Sequence, residues 1–233
     1  MVVGPGEADR FLKESLEEFK RLCDDVIICR CNAGPAEKKL IDSYDFRSYE
    51  DNREWGKFQP YIKTDLLRRI QKLGCDFILP LDSDETIPSV SDRGIFQRFT
   101  DRGFDALQFY VVNLWNDEQH YSKNLSFWNV RFYANDPGKG TQFLKKPLHC
   151  GNAPPYFYSI PPRQSYIPHI LLHKGLMRRE DRMRKANRYQ IYDPQAIHKG
   201  KEYYDALTAD WQGSEYSQEA VLAKIQDYCS SFK

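Results

Sequence analysis

Cys75-Asp76-Phe77-Ile78-Leu79-Pro80-Leu81-Asp82-Ser83-Asp84-Glu85-Thr86 decides how the chain is read. An apolar run of strand length ends in three carboxylates within four residues. Short apolar runs of this kind read as buried strands, often parallel ones. Clustered carboxylates cannot stay inside such a layer unless they are paired or metal-bound. They therefore belong at the strand's C-terminal edge, where open α/β sheets bind their ligands. In extended backbone Asp82 and Asp84 share a face. Two carboxylates on one face suit a hard divalent cation that leaves room for substrate phosphates. An exposed acidic turn is the competing reading, because aspartates are common in turns.

Upstream, strands and helices alternate. Phe11, Leu12, Leu16, Phe19 and Leu22 fall at helical spacing, which predicts a helix over 7–22. Val2-Val3-Gly4 before it is the tail of a strand. Asp25 to Cys29 reads as a strand, and Asn32-Ala33-Gly34-Pro35 as a turn that opens a helix running to about Ser43, with Pro35 suited to its first position. Phe46 to Tyr49 reads as a short strand. Pro60 to Leu73 reads as a helix with Ile62, Leu66, Ile70 and Leu73 on one face and Gly74 past its end. This is the pattern of a parallel sheet with right-handed crossovers. After Glu85 the pattern changes. A short helix is expected over Ser91 to Thr100, and two strands over Phe104 to Leu114 and Ser126 to Ala134. Residues 135–170, rich in Pro and Gly, give no assignment. A strongly basic helix over Met177 to Tyr192 and an amphipathic one over Ser217 to Tyr228 complete the chain.

Composition narrows the classes. The 233 residues suit one large domain, and 41% hydrophobic content supplies a core. The 29% charged residues and mean hydropathy of −0.69 predict a soluble protein. A formal net charge of +1 gives no general argument for nucleic acid or membrane binding. No apolar stretch approaches the roughly 20 residues of a membrane span, and Met1 to Gly6 lacks a signal peptide's apolar centre. The six cysteines form no CxxC pair, so buried free thiols and a reducing cytoplasm are expected, with a peripheral place at a membrane surface left open.

These residues resemble the GT-A glycosyltransferases, in particular family 2-like enzymes. Leu79-Pro80-Leu81-Asp82-Ser83-Asp84-Glu85 looks like their "hLDxDE" motif, and Gly6-Glu7 with Phe11-Leu12 and Leu16 like their opening. Trp128-Asn129-Val130-Arg131-Phe132-Tyr133 and Leu148-His149 resemble a later strand and the histidine after it. His173-Lys174-Gly175, followed by Arg182, Lys185, Arg188-Tyr189 and Asp193-Pro194, resembles a C-terminal segment. The chain departs from the family at Gly6, where Asn is usual, and at Cys31-Asn32, where the second strand usually ends in Asp. The resemblance implies an α/β, GT-A-like, mainly parallel mixed sheet flanked by helices. It implies one domain over 1–233, with 1–90 as the nucleotide-sugar half and 91–233 as the acceptor half with C-terminal helices.

The resemblance also implies a hexosyltransferase-type enzyme that moves sugar from a nucleoside diphosphate sugar, a UDP-sugar first among them, to a saccharide, lipid-linked or protein acceptor, with no nucleic acid partner. It implies Mn2+ or Mg2+ on Asp84, shared with or flanked by Asp82, with His173 completing the shell. Glu7, Asn32, Lys63 and Asp82 line the donor pocket. Asp181, ahead of Glu180, stands where an inverting enzyme keeps the base for the acceptor hydroxyl; ion pairs along the helix are the competing reading. Glu85, Arg131, His149, Arg182 and Lys185 contact acceptor or phosphate, unless Glu85 simply holds its loop. Seven cations at 174, 178, 179, 182, 184, 185 and 188 suit a diphosphate or a phosphorylated acceptor; a solvated basic face competes. Trp115, Trp128 and Tyr133 read as core before sugar platform. Phe77 to Thr86 also fits the motif of haloacid dehalogenase-like phosphatases, with Asp82 as nucleophile. A nucleotidyltransferase and a non-catalytic nucleotide-sugar-binding domain compete as well.

Overall fold

A computed structural model describes residues 1–146, 148, 150–159 and 164–230. The fold is α/β and GT-A-like, with eight helices among the described residues. The chain divides into two compact units that are not continuous in sequence. The first holds residues 1–86, 90–108 and 130–165; the second holds 87–89, 109–129 and 166–233.

In the first unit β1 (Val2–Val3), β2 (Ile27–Cys31) and β3 (Arg47–Asp51) form a parallel sheet in that order. The crossovers are α1 (Leu12–Leu22) and α2 (Pro35–Asp42), the latter opening on Pro35 as expected. The stripe Leu12, Ser15, Leu16 and Phe19 turns inward because these positions repeat at three and four residues. α3 (Trp55–Gln71) begins earlier than its proline suggests. The backbone N–H groups of Lys57 and Phe58 close the first turn on the Glu54 carbonyl, which leaves Pro60 inside the helix, where it removes one bond. Ile62 and Leu66 pack on Cys29 and Cys31. The helix ends before Gly74, whose φ of +70° suits glycine.

The organising strand is shorter than its apolar run. Only Phe77–Ile78 forms β4, paired antiparallel with Tyr133 and Ala134 of β8 (Phe127–Ala134). Pro80 has no N–H to offer a ladder, so pairing stops before it. β5 (Glu85–Thr86) and α4 (Gly94–Thr100) follow. Ile78, Leu67, Val130, Tyr133 and Phe157, from α5 (Tyr156–Ser159), share one core cluster.

In the second unit, Leu114 and Trp115 at the end of β6 (Ala106–Trp115) pair antiparallel with β7 (Asp117–Tyr121), and β7 pairs with β10 (Ser214–Glu215). β9 (Gln164–His173), α6 (Arg179–Tyr192), α7 (Lys201–Thr208) and α8 (Gln218–Ser230) supply the rest. Val112, Leu114, Ile170, Val221 and Ile225 form its core. β7, β9, β10 and α7 lie outside the elements expected from the sequence. All six cysteines are free. No helix among the described residues is long and apolar enough to cross a membrane.

Candidate active site

The carboxylate cluster is a turn rather than the end of an extended strand, so Asp82 and Asp84 do not share a strand face as expected. The Glu85 N–H bonds the Asp82 carbonyl at 3.2 Å, with Ser83 and Asp84 at the centre of the turn. Aspartate favours such a position. The turn is also closed through a side chain, since the Asp82 N–H donates to Glu85 Oε2 at 2.9 Å.

Glu85 is 1% exposed and Arg131 5%. Arg131 grips the carboxylate with Nη2 on Oε1 at 2.5 Å and Nε on Oε2 at 3.2 Å. Burial works against the guanidinium charge, but Glu85 and Asp82 outweigh it and hold Arg131 above its ordinary pKa. The Ser15 hydroxyl, fully buried on α1, donates to the Glu85 carbonyl at 3.0 Å. Glu85 therefore holds its own turn.

Ser83 ties that turn to the loop after β1 by donating to Glu7 Oε2 at 3.1 Å. Arg10 Nη1 holds both Glu7 oxygens, at 2.9 and 3.0 Å. The loop is tied in turn to α2. Glu37 is buried and accepts the Ala8 N–H at 3.0 Å. Burial pushes its carboxyl up, but the amides of Ala8, Glu37 itself, Gly34 and Gly6 outweigh that and hold it below the ordinary range. Neither Glu37 nor Ser15 was marked by the sequence, where both read as ordinary helix residues.

Because β1, β2 and β3 run parallel, the residues after their C-terminal ends lie on one sheet edge. Asn32 follows β2 with a φ of +53°, a left-handed conformation that asparagine tolerates. Its N–H bonds the Asp51 carbonyl and its Nδ2 bonds the Arg53 carbonyl, each at 3.0 Å. Lys63 on α3 reaches a different partner set. Its Nζ donates to Asn152 Oδ1 at 2.6 Å and to the Gly151 carbonyl at 2.9 Å, and Asn152 Nδ2 donates to Asp82 Oδ2 at 3.1 Å. Asn152 was missed because Gly151-Asn152-Ala153-Pro154-Pro155 reads only as a loop. A cavity of about 60 Å³ lies against Lys63, Asp82 and Asn152. It has room for a few waters and none for a nucleotide.

The first unit thus joins Glu7, Lys63, Asp82, Glu85 and Arg131 in one bonded network, with Asp84 half-buried in the same turn. Among the described residues no group of three or more His, Cys, Asp and Glu is arranged to hold a metal. Besides Glu85, which pairs with Arg131, this turn carries Asp82, whose Oδ2 accepts from Asn152, and Asp84. That set fits Mg2+-like ions, which use one or two carboxylates with waters and substrate phosphates.

The second unit carries His173, Glu180, Asp181, Arg182 and Lys185. His173 ends β9 and is half-buried. Lys174 beside it is buried and pairs with Glu118 at 3.1 Å. Glu180 is exposed in the first turn of α6, where acidic residues favour the helix dipole. Asp181 is buried and pairs with Arg184 at 3.2 Å. Arg182 is 2% exposed. Its Nη1 donates to the Leu176 and Met177 carbonyls at 3.0 and 3.2 Å, and its guanidinium lies 4.2 Å from the centre of the Trp115 ring. Burial and Arg179 hold it below its ordinary pKa. Lys185 is half-buried. Trp115 and Tyr133 are core residues, while Trp128 stacks on Tyr228. His149 lies outside the described residues.

No family model matches the chain, and no curated protein matches it. Among solved structures it is similar to TarS of S. aureus. The overlay on TarS has a TM-score of 0.52 at 13% identity and takes in 89% of this chain and 42% of TarS. The overlay on TarS 1–349 has a TM-score of 0.54 at 13% identity and takes in 89% of this chain and 68% of that one. The chain thus spans less than half the length of the longer TarS structure. At this identity the likeness is one of fold. TarS 1–349 has also been crystallised with UDP and with UDP-GlcNAc.

Proposed function

We propose that this chain transfers a sugar from a nucleoside diphosphate sugar to an acceptor hydroxyl, with Asp84 and Asp82 holding a divalent cation. The observation that carries this reading is the turn itself. Its third carboxylate is neutralised from inside by Arg131, and the turn presents two further aspartates on a GT-A-like fold.

A cation bound there would supply positive charge to the departing diphosphate. The chain's own residues do the rest. Glu85 and Arg131 fix the turn. Glu7 and Ser83 hold the turn to the loop after β1, and Asn32 faces the nucleotide from the same sheet edge. In the second unit Asp181 takes the proton of the acceptor hydroxyl, with Glu180 as the alternative base, and attack inverts the anomeric centre. The second unit also carries the His173 imidazole and the Lys185 ammonium, groups that suit a divalent cation and phosphate oxygens respectively. The acceptor is a saccharide, a lipid-linked sugar or a protein hydroxyl. UDP is the nucleotide to try first, being the one TarS 1–349 has been crystallised with.

The test is a thermal-shift screen of UDP-, GDP- and dTDP-sugars with Mn2+ and with EDTA, followed by product analysis. A bound donor at 100 times its dissociation constant stabilises the fold by about 2.7 kcal/mol. The expected result is a shift with one nucleotide's sugars in Mn2+, and slow release of nucleoside diphosphate and free sugar. Release of phosphate from monoesters, or of pyrophosphate from a nucleoside triphosphate, would replace this reading with a phosphatase or a nucleotidyltransferase.

A further inference from the structure

We infer that Asn152 is a positioning residue for Asp82, its amide oriented by Lys63. The inference rests on the reading that Asp82 belongs to the donor site.

The orientation follows from donor and acceptor chemistry. Lys63 is nearly buried, and its ammonium has three donors and no acceptor. It sits 2.6 Å from Asn152 Oδ1. An amide beside a cation must turn its oxygen toward it, so its NH2 points the other way. There Nδ2 meets Asp82 Oδ2 at 3.1 Å, a carboxylate that only accepts. The flipped amide would place NH2 against the ammonium and oxygen against the carboxylate, two repulsions in place of two bonds. Both bonds are charge-assisted, the stronger class of hydrogen bond.

The loop carrying Asn152 is itself pinned. The Tyr158 hydroxyl accepts the N–H groups of Asn152 and Ala153, each at 3.3 Å. Gly151 has a φ of +81°, and a Cβ there would meet the same hydroxyl at 3.3 Å. Asp82 is thus held at its backbone by Glu85 and at its side chain by Asn152. Lys63 then serves the site through Asn152 rather than by touching the donor.

A double-mutant cycle tests this. UDP is titrated calorimetrically in Mn2+ into the full chain, Asn152→Ala, Lys63→Met, Asp82→Ala and the Asn152→Ala/Asp82→Ala double variant. Asn152→Ala is expected to weaken binding by about 10-fold, the lower end for partners of metal ligands. Lys63→Met should weaken it by a smaller factor. In the Asp82→Ala background the Asn152 change should cost nothing further, because the oxygen that Asn152 holds is gone. Equal losses in both backgrounds, or unchanged affinity in Asn152→Ala, would overturn the inference. If the unaltered chain binds none of UDP, GDP and dTDP, the nucleotide-sugar reading fails separately. The cycle is then read on thermal midpoints, where coupled shifts support the contact and additive shifts refute it.

Discussion

Arg131 and Arg182 are arginines with almost no solvent exposure, one in each compact unit. Arg131 faces a carboxylate 46 positions away in sequence and is held above its ordinary pKa. Arg182 faces two carbonyl oxygens five and six positions away and the ring of Trp115, and is held below it. The full counter-charge in the first unit locks a turn that carries two further aspartates. The dipoles and indole in the second lock the entry to α6. A buried cation can thus shape a ligand site or only a helix start, and its partner decides which.

The two arginines should therefore respond differently to the same substitution. Arg131→Met leaves Glu85 buried and uncompensated, a change that typically costs about 3–5 kcal/mol. Arg182→Met leaves two carbonyls without that donor and strands no carboxylate, so about 1–2 kcal/mol is expected. Urea unfolding of both variants reads the difference. Adding Glu85→Leu to Arg131→Met should recover much of the loss, since the pair is removed together. Equal costs for the two arginines, or no recovery in the double variant, would break the contrast.

Glu37 sharpens the comparison, because backbone amides rather than an arginine neutralise it. Its carboxyl is held below the ordinary value of 4.5. A depressed folded pKa gives stability that is present above the unfolded value and lost as pH falls through the folded one. Glu37→Gln should thus cost about 1–2 kcal/mol at pH 7, shrinking as the pH drops below 4.5. Urea midpoints of both proteins across that range check it. A difference that persists undiminished in acid would show that the amides do not favour the charged form.

The sequence made the first half of the fold legible because its signals are local. Helical spacing gave α1, Pro35 gave the start of α2, and Gly74 marked the end of α3. It misplaced the start of α3, since Pro60 suggests a helix start and the Glu54 carbonyl set an earlier one. It overextended β4, because Pro80 ends the ladder and Leu81 is buried without pairing. The second half was harder, since β9 and β10 depend on partners distant in sequence, and β7, though it folds straight back on β6, reads Asp117-Glu118-Gln119-His120 with no apolar alternation. In the candidate site the aspartates were legible from clustering. Their supports were not. The Glu85–Arg131 pair was split between two expected ligand contacts, and Asn152, Ser15 and Glu37 carry no pattern at all.

The central claim is that the Asp82–Glu85 turn acts on a nucleotide sugar through Asp84. The most direct measurement is the rate of UDP release from UDP-GlcNAc, and then from other UDP-sugars, by the unaltered chain and by Asp84→Asn in Mn2+, with EDTA as control. Asp84→Asn keeps size and removes charge, so release should fall by at least about 100-fold, the scale of losing one group that stabilises developing charge. EDTA should silence the unaltered chain. Normal release by Asp84→Asn, or full release in EDTA, would contradict the account.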